Sequence, residues 1–449
     1  MRSSVHLPDA VKNPVSLVGM ALATATAGLF LVLFVLETFG LLVNPYLGLL
    51  LFVTLPLIFL VGLTLIPVGA RWAARRRRLH PEAPEWPVID LGQPHQRTIL
   101  LSILALTFVN IVIVSLAGYG GVHYMESNEF CGQVCHETMA PEFEAHQVWP
   151  HKEVACTRCH IGPGVGSFFE AKLAGTRQLY HLASGQVPMP VPTPVRSLGR
   201  PADTCGRCHF PERFQGNRLR EVRDYADDEQ NSETVTGLFM KVGNPRGGPG
   251  SGIHRHITLD IEYVTTDARR ESIPYVRVRD GQGRVREFTS DEATAEQIAG
   301  GTRRQMDCLD CHNRPAHTFT FTPQRAVDQA IARGDIPRDL PFVRREAVAA
   351  VSAEYADRTA ALESIAARLD DFYRAREGVD ARMVARAVSA TQQVWARNVF
   401  PVMRVAWGTY PNHLGHVDTP GCFRCHDDSH KAADGTTISQ DCELCHSIE

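Results

Sequence analysis

The sequence lacks a surplus of charge of either sign. It carries 46 Lys and Arg against 49 Asp and Glu, a formal net charge of −3, whereas phosphate binding needs clustered positive charge. We therefore expect no nucleic-acid partner. It also lacks an odd cysteine, because all 12 cysteines fall in paired motifs. At 449 residues the chain exceeds one small module, and two or three domains are expected.

Charged residues are missing from three long apolar runs near the N-terminus. These are residues 15–36, 47–69 and 98–120, and each is long enough as a helix to cross the hydrocarbon core of a bilayer. They predict three transmembrane helices. A cleaved signal peptide is the alternative for the first run, but that run is longer than a signal-peptide core. Pro56 and Pro67 predict a kink or an early end in the second helix.

Positive charge is concentrated between the second and third runs. No Lys or Arg occurs from Glu37 to Ala70, and then five arginines follow: Arg71, Arg75, Arg76, Arg77 and Arg78. Segments rich in Lys and Arg beside a span stay in the cytoplasm. The third helix therefore delivers everything after Tyr119 to the opposite, extracytoplasmic side.

Five copies of the motif Cys-x-x-Cys-His follow the apolar runs. Two thiols at this spacing add across the vinyl groups of one porphyrin, and the adjacent histidine becomes the proximal ligand of its iron. A zinc ribbon has no need of that histidine, so the five copies predict covalently bound haem c. They comprise Cys156, Cys159 and His160; Cys205, Cys208 and His209; Cys308, Cys311 and His312; Cys422, Cys425 and His426; and Cys442, Cys445 and His446.

A sixth cysteine pair departs from this spacing. Cys131 and Cys135 are separated by three residues, and His136 follows directly. A disulfide is the alternative in an oxidising compartment, but the retained histidine favours a sixth haem, for a total of six covalently bound haem c groups.

Further side chains are available for the second axial position of each iron. A second histidine makes a low-spin electron carrier, whereas an open position would indicate substrate chemistry. Met139 is a candidate ligand of the first iron. His254 and His256 are assigned to a strand that faces solvent. The distal candidates are His146, His151, His181, His317, His413, His416 and His430.

The pattern predicts a mostly helical and irregular fold. We divide it into a membrane domain (1–125), a first haem domain (126–212), a linker with a small antiparallel β insertion (213–305) and a C-terminal haem domain with a helical hairpin (306–449). Alternating residues predict strands at 257–265, 273–279 and 284–288. Helical spacing predicts two antiparallel helices at 341–377 and 380–400. The Gly-rich residues 247–252 lack the context of a phosphate loop and are expected to form a connector.

Residues 129–185 resemble the NapC/NirT family of membrane-anchored multihaem cytochromes. The resemblance lies in Glu129-Phe130-Cys131, Met139-Ala140-Pro141-Glu142, Pro150-His151, His160-Ile161-Gly162-Pro163-Gly164 and Lys172. It implies that His151 is a distal ligand, that the first haem lies beside a quinol pocket and that Lys172 contacts the quinol oxygen. Shorter members have one membrane helix, a two-residue gap in the first motif and an acidic residue after the lysine. The quinol base is therefore open among Glu170, His181, Glu126 and Glu129.

The resemblance and the motifs together predict a quinol dehydrogenase of the bacterial cytoplasmic (inner) membrane, with its haem domain in the periplasm. Menaquinol or ubiquinol is the expected substrate, and a periplasmic cytochrome or reductase is the expected partner, with other membrane subunits as further candidates. A quinone reductase working in reverse fits the sequence equally well. A terminal reductase of a small oxyanion is a second alternative, but no Cys-x-x-Cys-Lys variant occurs.

Overall fold

A computed structural model describes the chain in two compact units, Met1–Val134 and Cys135–Glu449. The residues described are 13–38, 54–79, 92–134, 136–148, 150–161, 165–193, 198, 201–210, 216–243 and 252–448. Several predictions fall partly outside these ranges, namely those for Cys135, the Gly-rich connector and the start of the second apolar run.

The described part of the first unit contains three long helices: α1 (Pro14–Thr38), α2 (Leu55–Leu79) and α3 (Pro94–Met125). Segments long and apolar enough to cross a membrane lie at Pro14–Val35, Leu55–Arg76 and Phe108–Met125, so the three predicted spans are confirmed. The predicted early end of the second helix is wrong, because α2 continues past Pro67 and includes the arginine cluster. Pro56 lies in the first turn of α2, where its missing N–H costs no hydrogen bond.

Helices α1 and α2 approach so closely that only small side chains fit between them. A Cβ atom on Gly19 would lie 2.7 Å from the carbonyl oxygen of Gly62, and one on Gly62 would lie 2.8 Å from the backbone nitrogen of Ala23. The hydroxyl of the fully buried Ser16 donates to the carbonyl of Ile66 at 2.9 Å. Small residues with one interhelical hydrogen bond are typical of helix pairs in lipid.

The second unit contains ten α-helices within its described ranges, several of them single turns. They are α4 (His136–Gln147), α5 (Cys156–His160), α6 (Val165–Ala183), α7 (Pro201–Thr204), α8 (Ala295–Gly300), α9 (Cys308–Cys311), α10 (Pro323–Ala332), α11 (Val343–Ser352), α12 (Arg358–Arg374) and α13 (Ala381–Asn398). Five short 3₁₀ turns accompany them at Cys205–Arg207, Ile253–Thr258, Pro401–Met403, Gly421–Arg424 and Cys442–Leu444.

Helices α10 to α13 enclose the main apolar core of this unit. Val351, Ile365 and Leu369, which belong to the apolar stripe of the sequence, are fully buried there with Trp395. The second predicted helix, 380–400, is confirmed as α13, and α12 packs against it. The prediction of one helix at 341–377 is wrong, because these residues form two helices, α11 and α12. Asp357 starts the second of them by accepting a hydrogen bond from the backbone N–H of Ala360 at 2.9 Å, which is the usual role of an N-cap aspartate.

The described strands of the second unit form two antiparallel sheets. The first has the order β1-β2-β8 and the second the order β6-β3-β4-β5-β7. The predicted strands are confirmed with shifted ends as β3, β4 and β5, whereas the hairpin β1–β2 was not predicted. The strands are β1 (Asn217–Tyr225), β2 (Glu233–Lys241), β3 (Asp260–Thr265), β4 (Tyr275–Arg279), β5 (Val285–Ser290), β6 (Thr302–Gln305), β7 (His430–Lys431) and β8 (His446–Ile448).

Candidate haem-binding sites

Each of the five standard motifs folds as one tight helical turn. In three of them the backbone N–H of the histidine donates to the carbonyl of the first cysteine, at 2.8 Å for His209 and His312 and 3.1 Å for His426. Side chains three and four positions apart lie on one face of such a turn. The two sulfurs and the imidazole are thereby presented to the same side, as attachment of one porphyrin requires.

The first motif begins in a wider turn. Residues Phe130–Val134 form a π-helix that includes Cys131, and a π turn holds one residue more than an α turn. The third intervening residue of this motif is accommodated in that way. His136 is the first residue of α4, and Met139, one turn further along, is half-buried. Cys135 lies outside the described residues, so the choice between haem attachment and a disulfide stays a prediction.

Every proximal histidine of the five standard motifs faces a second histidine. Two imidazoles that bind opposite sides of one metal through bonds of about 2 Å have ring centres about 6 Å apart, so the residues present fit an iron porphyrin. The ring-centre distances are 6.1 Å for His160 and His317, 6.0 Å for His209 and His151, 6.4 Å for His312 and His254, 5.8 Å for His426 and His256, and 6.1 Å for His446 and His416.

Backbone carbonyls fix the protonation of four of these rings. Because a carbonyl only accepts, each Nδ1 must carry the proton, which leaves the lone pair on Nε2 for a metal. Burial lowers the pKa of His317 and of His256, so both are held neutral, the form that binds iron. The Nδ1 atoms donate to Pro315 from His151 (2.9 Å), to Glu142 from His317 (2.9 Å), to Ile253 from His256 (2.7 Å) and to Ser439 from His426 (2.9 Å).

His146 is the second ring near His317, with its centre 6.0 Å away. Its Nε2, however, donates to the carbonyl of Val154 at 3.1 Å. A nitrogen used in that way has no lone pair to offer a metal. His160 is therefore the better partner for His317.

Besides His146, three further predicted distal ligands are not paired with a proximal histidine among the described ring contacts. His430 is buried with Nδ1 2.9 Å from the Asp427 carboxylate and Nε2 2.7 Å from the carbonyl of Ile273. His413 is buried with Nε2 2.9 Å from the carbonyl of Arg269, and burial lowers its pKa to about 4. His181 lies half-buried near the end of α6.

The cysteines of successive motifs are neighbours in space. Cys205 and Cys308 are within hydrogen-bond distance, and this contact raises the pKa of Cys205. The pKa of Cys159 is raised by burial and by Cys208, and the pKa of Cys311 is raised to about 11 by burial and by Cys422. Cys422 also adds to the burial that raises the pKa of Cys445. The five standard motifs are therefore arranged in space in the same order as in the sequence.

A buried ion pair joins the fourth and fifth motifs. Asp310, inside the fourth motif, lies 2.6 Å from Arg270 and accepts a hydrogen bond from Tyr263 at 2.5 Å. Arg424, inside the fifth motif, donates to the carbonyls of Asp310 at 2.6 Å and Arg270 at 2.9 Å. The second x position of each of these two motifs thus makes structural contacts.

The candidate quinol residues are only partly described. Glu170 is exposed on α6, the helix that also contains Lys172 and His181, but the side chain of Lys172 lies outside the described set. In the first unit, Glu126 is half-buried and Glu129 is exposed.

Sequence reasoning missed the positions of His254 and His256. Their assignment to a solvent-facing strand is wrong, since both are half-buried in the 3₁₀ turn Ile253–Thr258, and β3 starts only at Asp260. The spacing His-x-His in a Gly-bounded segment, at a distance from every Cys-x-x-Cys-His motif, was the available signal. The distance of this segment from every motif along the chain made that signal weak.

Comparison with known proteins identifies the family of the chain. Residues 93–190 match the family described as "NapC/NirT cytochrome c family, N-terminal region". The chain is 37% identical over 446 residues to a protein named "Cytochrome c-type protein ImcH" from Geobacter sulfurreducens, covering 97% of this chain and 88% of that protein. No solved structure matches the chain. With a relative of this similarity along nearly its whole length, the chain belongs to the NapC/NirT family of membrane-anchored c-type cytochromes, which carry covalently bound haem c.

Proposed function

We propose that the protein is a six-haem quinol dehydrogenase of the bacterial inner membrane. It takes electrons from menaquinol or ubiquinol and delivers them to a periplasmic cytochrome or reductase. The observation that carries this proposal is the set of five histidine pairs, with ring centres 5.8–6.4 Å apart, at the five standard motifs. The family to which the chain belongs interacts with quinol and periplasmic redox partners, which supports the same reading.

Paired histidines favour electron transfer over reduction of a small oxyanion. A reductase needs one iron with an open axial position for its substrate. Each proximal histidine of a standard motif instead has a second imidazole within reach. When bound, haem c supplies one-electron chemistry, so a two-electron donor can serve one-electron acceptors.

The protein side chains would position the quinol and remove its protons. We assign Lys172 to the quinol oxygen, where a cation favours the deprotonated form. Glu170 and His181 on the same helix, with Glu126 and Glu129 as further candidates, would accept the protons. The haem domain is placed in the periplasm because the arginine cluster at the end of α2 favours a cytoplasmic location for that end.

The test is quinol oxidation by the purified protein in liposomes, with a count of covalent haem by mass. We expect six haems, oxidation of menaquinol or ubiquinol with a soluble acceptor outside, and proton release on that same side. A count of five would exclude haem at Cys131 and Cys135. High-spin iron in the unmodified protein combined with turnover of an oxyanion would favour the reductase instead. Reduction of quinone by a reduced soluble donor, without the forward reaction, would reverse the assigned direction.

A lysine pair tests the assigned role of Lys172. Lys172→Met is expected to lower quinol oxidation by about a hundredfold, the usual contribution of a positioned proton-transfer group. Lys152→Met is the matched control, because Lys152 is exposed and its contact with Glu153 is long at 3.9 Å. Equal activity of the two variants would remove Lys172 from the site.

A further inference from the structure

The 3₁₀ turn Ile253–Thr258 lies between two of the predicted haem sites. Its His254 has its ring centre 6.4 Å from that of His312, with the ring planes 25° apart. Its His256 has its ring centre 5.8 Å from that of His426, with the planes 84° apart. We propose that His254 and His256 are the distal axial ligands at the fourth and fifth motifs, so that one turn holds two irons.

The geometry of the turn explains why one short segment can serve two sites. A 3₁₀ helix has three residues per turn, so residues two positions apart point about 240° apart around its axis. Two histidines separated only by Arg255 are therefore directed to different sides. One meets the proximal histidine of the fourth motif and the other meets that of the fifth.

The turn also prepares His256 for metal binding. Its Nδ1 donates to the carbonyl of Ile253 within the same turn at 2.7 Å, and His426 opposite donates from Nδ1 to Ser439 at 2.9 Å. Both rings therefore have the proton on Nδ1 and the lone pair on Nε2. A hydrogen bond of this kind orients an imidazole before the metal arrives.

Nearby histidines that the sequence favoured are engaged elsewhere. Both ring nitrogens of His430 lie within 3 Å of protein oxygens, at 2.9 Å and 2.7 Å. His413 uses Nε2 for the carbonyl of Arg269 at 2.9 Å. Of the described histidines around these two motifs, His254 and His256 are the pair that faces the proximal ligands.

Strand β3, which follows the turn, is fixed to the fourth motif and through it to the fifth. Tyr263 on β3 donates to Asp310 in the fourth motif at 2.5 Å, and the N–H of Met306 donates to the carbonyl of Ile261 at 2.8 Å. Arg424 of the fifth motif donates to Asp310 at 2.6 Å. The two motifs and the strand leading from the turn are thus joined by buried hydrogen bonds, which keeps the turn in position to act as a bridge.

The proposal rests on covalent haem at the fourth and fifth motifs, part of the proposed function. The test uses the full-length protein and reads the spin state of its irons by electron paramagnetic resonance. We expect His254→Ala and His256→Ala each to convert one haem from low spin to high spin, and the double variant to convert two. The controls are His413→Asn and His430→Gln, which are expected to leave all haems low-spin.

A second pair of variants keeps the test decisive if the alanine variants fail to fold. His254→Met and His256→Met keep a ligand at each site, and the midpoint potential of one haem should rise in each, since methionine raises it relative to histidine. An unchanged spin state in the alanine variants would overturn the proposal, and so would unchanged potentials in the methionine variants. A new high-spin signal from His413→Asn or His430→Gln would overturn it as well, because it would assign the ligand role to the substituted histidine. Absence of covalent haem in the unmodified protein would instead refute the proposed function itself.

Discussion

At the scale of single residues, a buried ion pair holds His317, a proposed haem ligand, in place. Glu142 on α4 accepts hydrogen bonds from Arg314 at 2.9 and 2.7 Å, and its backbone carbonyl accepts one from His317. Arg314 lies 3.9 Å from the ring centre of Tyr410 and donates to the carbonyl of His317 at 2.8 Å. Glu142 and Arg314 therefore fix the ring of His317, which lies 175 positions from Glu142 in sequence.

Asp310→Ala is expected to destabilise the protein by about 3–5 kcal/mol, because it leaves the buried Arg270 without its counter-charge. Asp310 is 1% exposed and Arg270 6% exposed. The measurement is the denaturant midpoint of purified protein followed by circular dichroism. Asp371→Ala is the control, since its pair with Arg374 is 67% and 75% exposed, and it should cost below about 1 kcal/mol. Equal midpoints in the two variants would show that the buried pair adds nothing.

His413 is expected to make the protein less stable in acid. Its pKa is about 4 in the folded protein against an ordinary 6.5, so between these pH values the unfolded chain binds a proton that the folded chain does not. The free energy of unfolding therefore falls as pH drops from 6.5 towards 4, by up to about 1.4 kcal/mol per pH unit.

The variant His413→Asn should show a shallower dependence of unfolding free energy on pH in that window, with an unchanged haem spectrum. His95→Asn is the control, because His95 is exposed. A slope in His413→Asn equal to that of the unmodified protein would contradict the expected proton uptake.

The Cys-x-x-Cys-His turns could be predicted from sequence, and the pairing of the histidine rings could not. Cys-x-x-Cys-His is a local pattern, since one helical turn determines which side its three side chains occupy. The partner of His312 is His254 and that of His426 is His256, each brought close only by the packing of the sheets. Proximity along the chain favoured His413 and His430 instead. Nε2 of His413 and both ring nitrogens of His430 lie within hydrogen-bond distance of backbone or carboxylate oxygens.

At the scale of elements, Gly19 and Gly62 allow α1 and α2 to pack closely against each other. Gly19→Leu should separate the two helices, because the added side chain would meet the backbone of Gly62 at under 3 Å, and overpacking costs about 1–3 kcal/mol. We expect a lower temperature of aggregation in detergent, measured by size-exclusion chromatography after heating.

Gly28→Leu is the matched control on the same helix, since nothing described lies within 4 Å of a Cβ atom at Gly28. The two variants add the same apolar side chain to α1, so they differ only in position. An equal loss of thermal stability in both would show that the close contact with α2 is unimportant.

Helices and strands could be predicted where a segment has one clear hydrophobic periodicity. The alternation at β3, β4 and β5 gave the central strands, and the apolar stripe of α12 gave a helix with Ile365 and Leu369 buried. Strand β1 carries Arg218, Arg220 and Arg223 and is mostly exposed, so it offered no apolar alternation. The break before α12 depends on a single capping side chain, Asp357, within a longer helical pattern.

At the scale of the whole molecule, charge and apolar length predict how the chain crosses the membrane. Replacing the arginines of the α2 cluster by Gln is expected to leave a substantial fraction of chains inverted, because positive charge beside a span sets its orientation. A reporter enzyme fused to the C-terminus and active only in the periplasm would measure this fraction.

Five exposed arginines of the second unit make a control with the same change of charge. Long translocated domains cross the membrane largely regardless of their charge, so their replacement by Gln should leave the reporter activity unchanged. Inversion in the control and none in the cluster variant would contradict the predicted orientation. The control residues are Arg284, Arg286, Arg358, Arg374 and Arg382.

Both sheets of the second unit join distant parts of the chain. Strand β8 pairs His446 with Met240 of β2, and Lys241 and Glu443, a further contact at this edge, are 202 positions apart. The edge of β2 that pairs with β8 therefore stays unpaired until the ribosome has synthesised the residues between the two strands. During biogenesis this unpaired edge can bind a chaperone or a strand of another chain. Formation of the sixth motif, which ends at His446, is coupled to the pairing of β8 with β2.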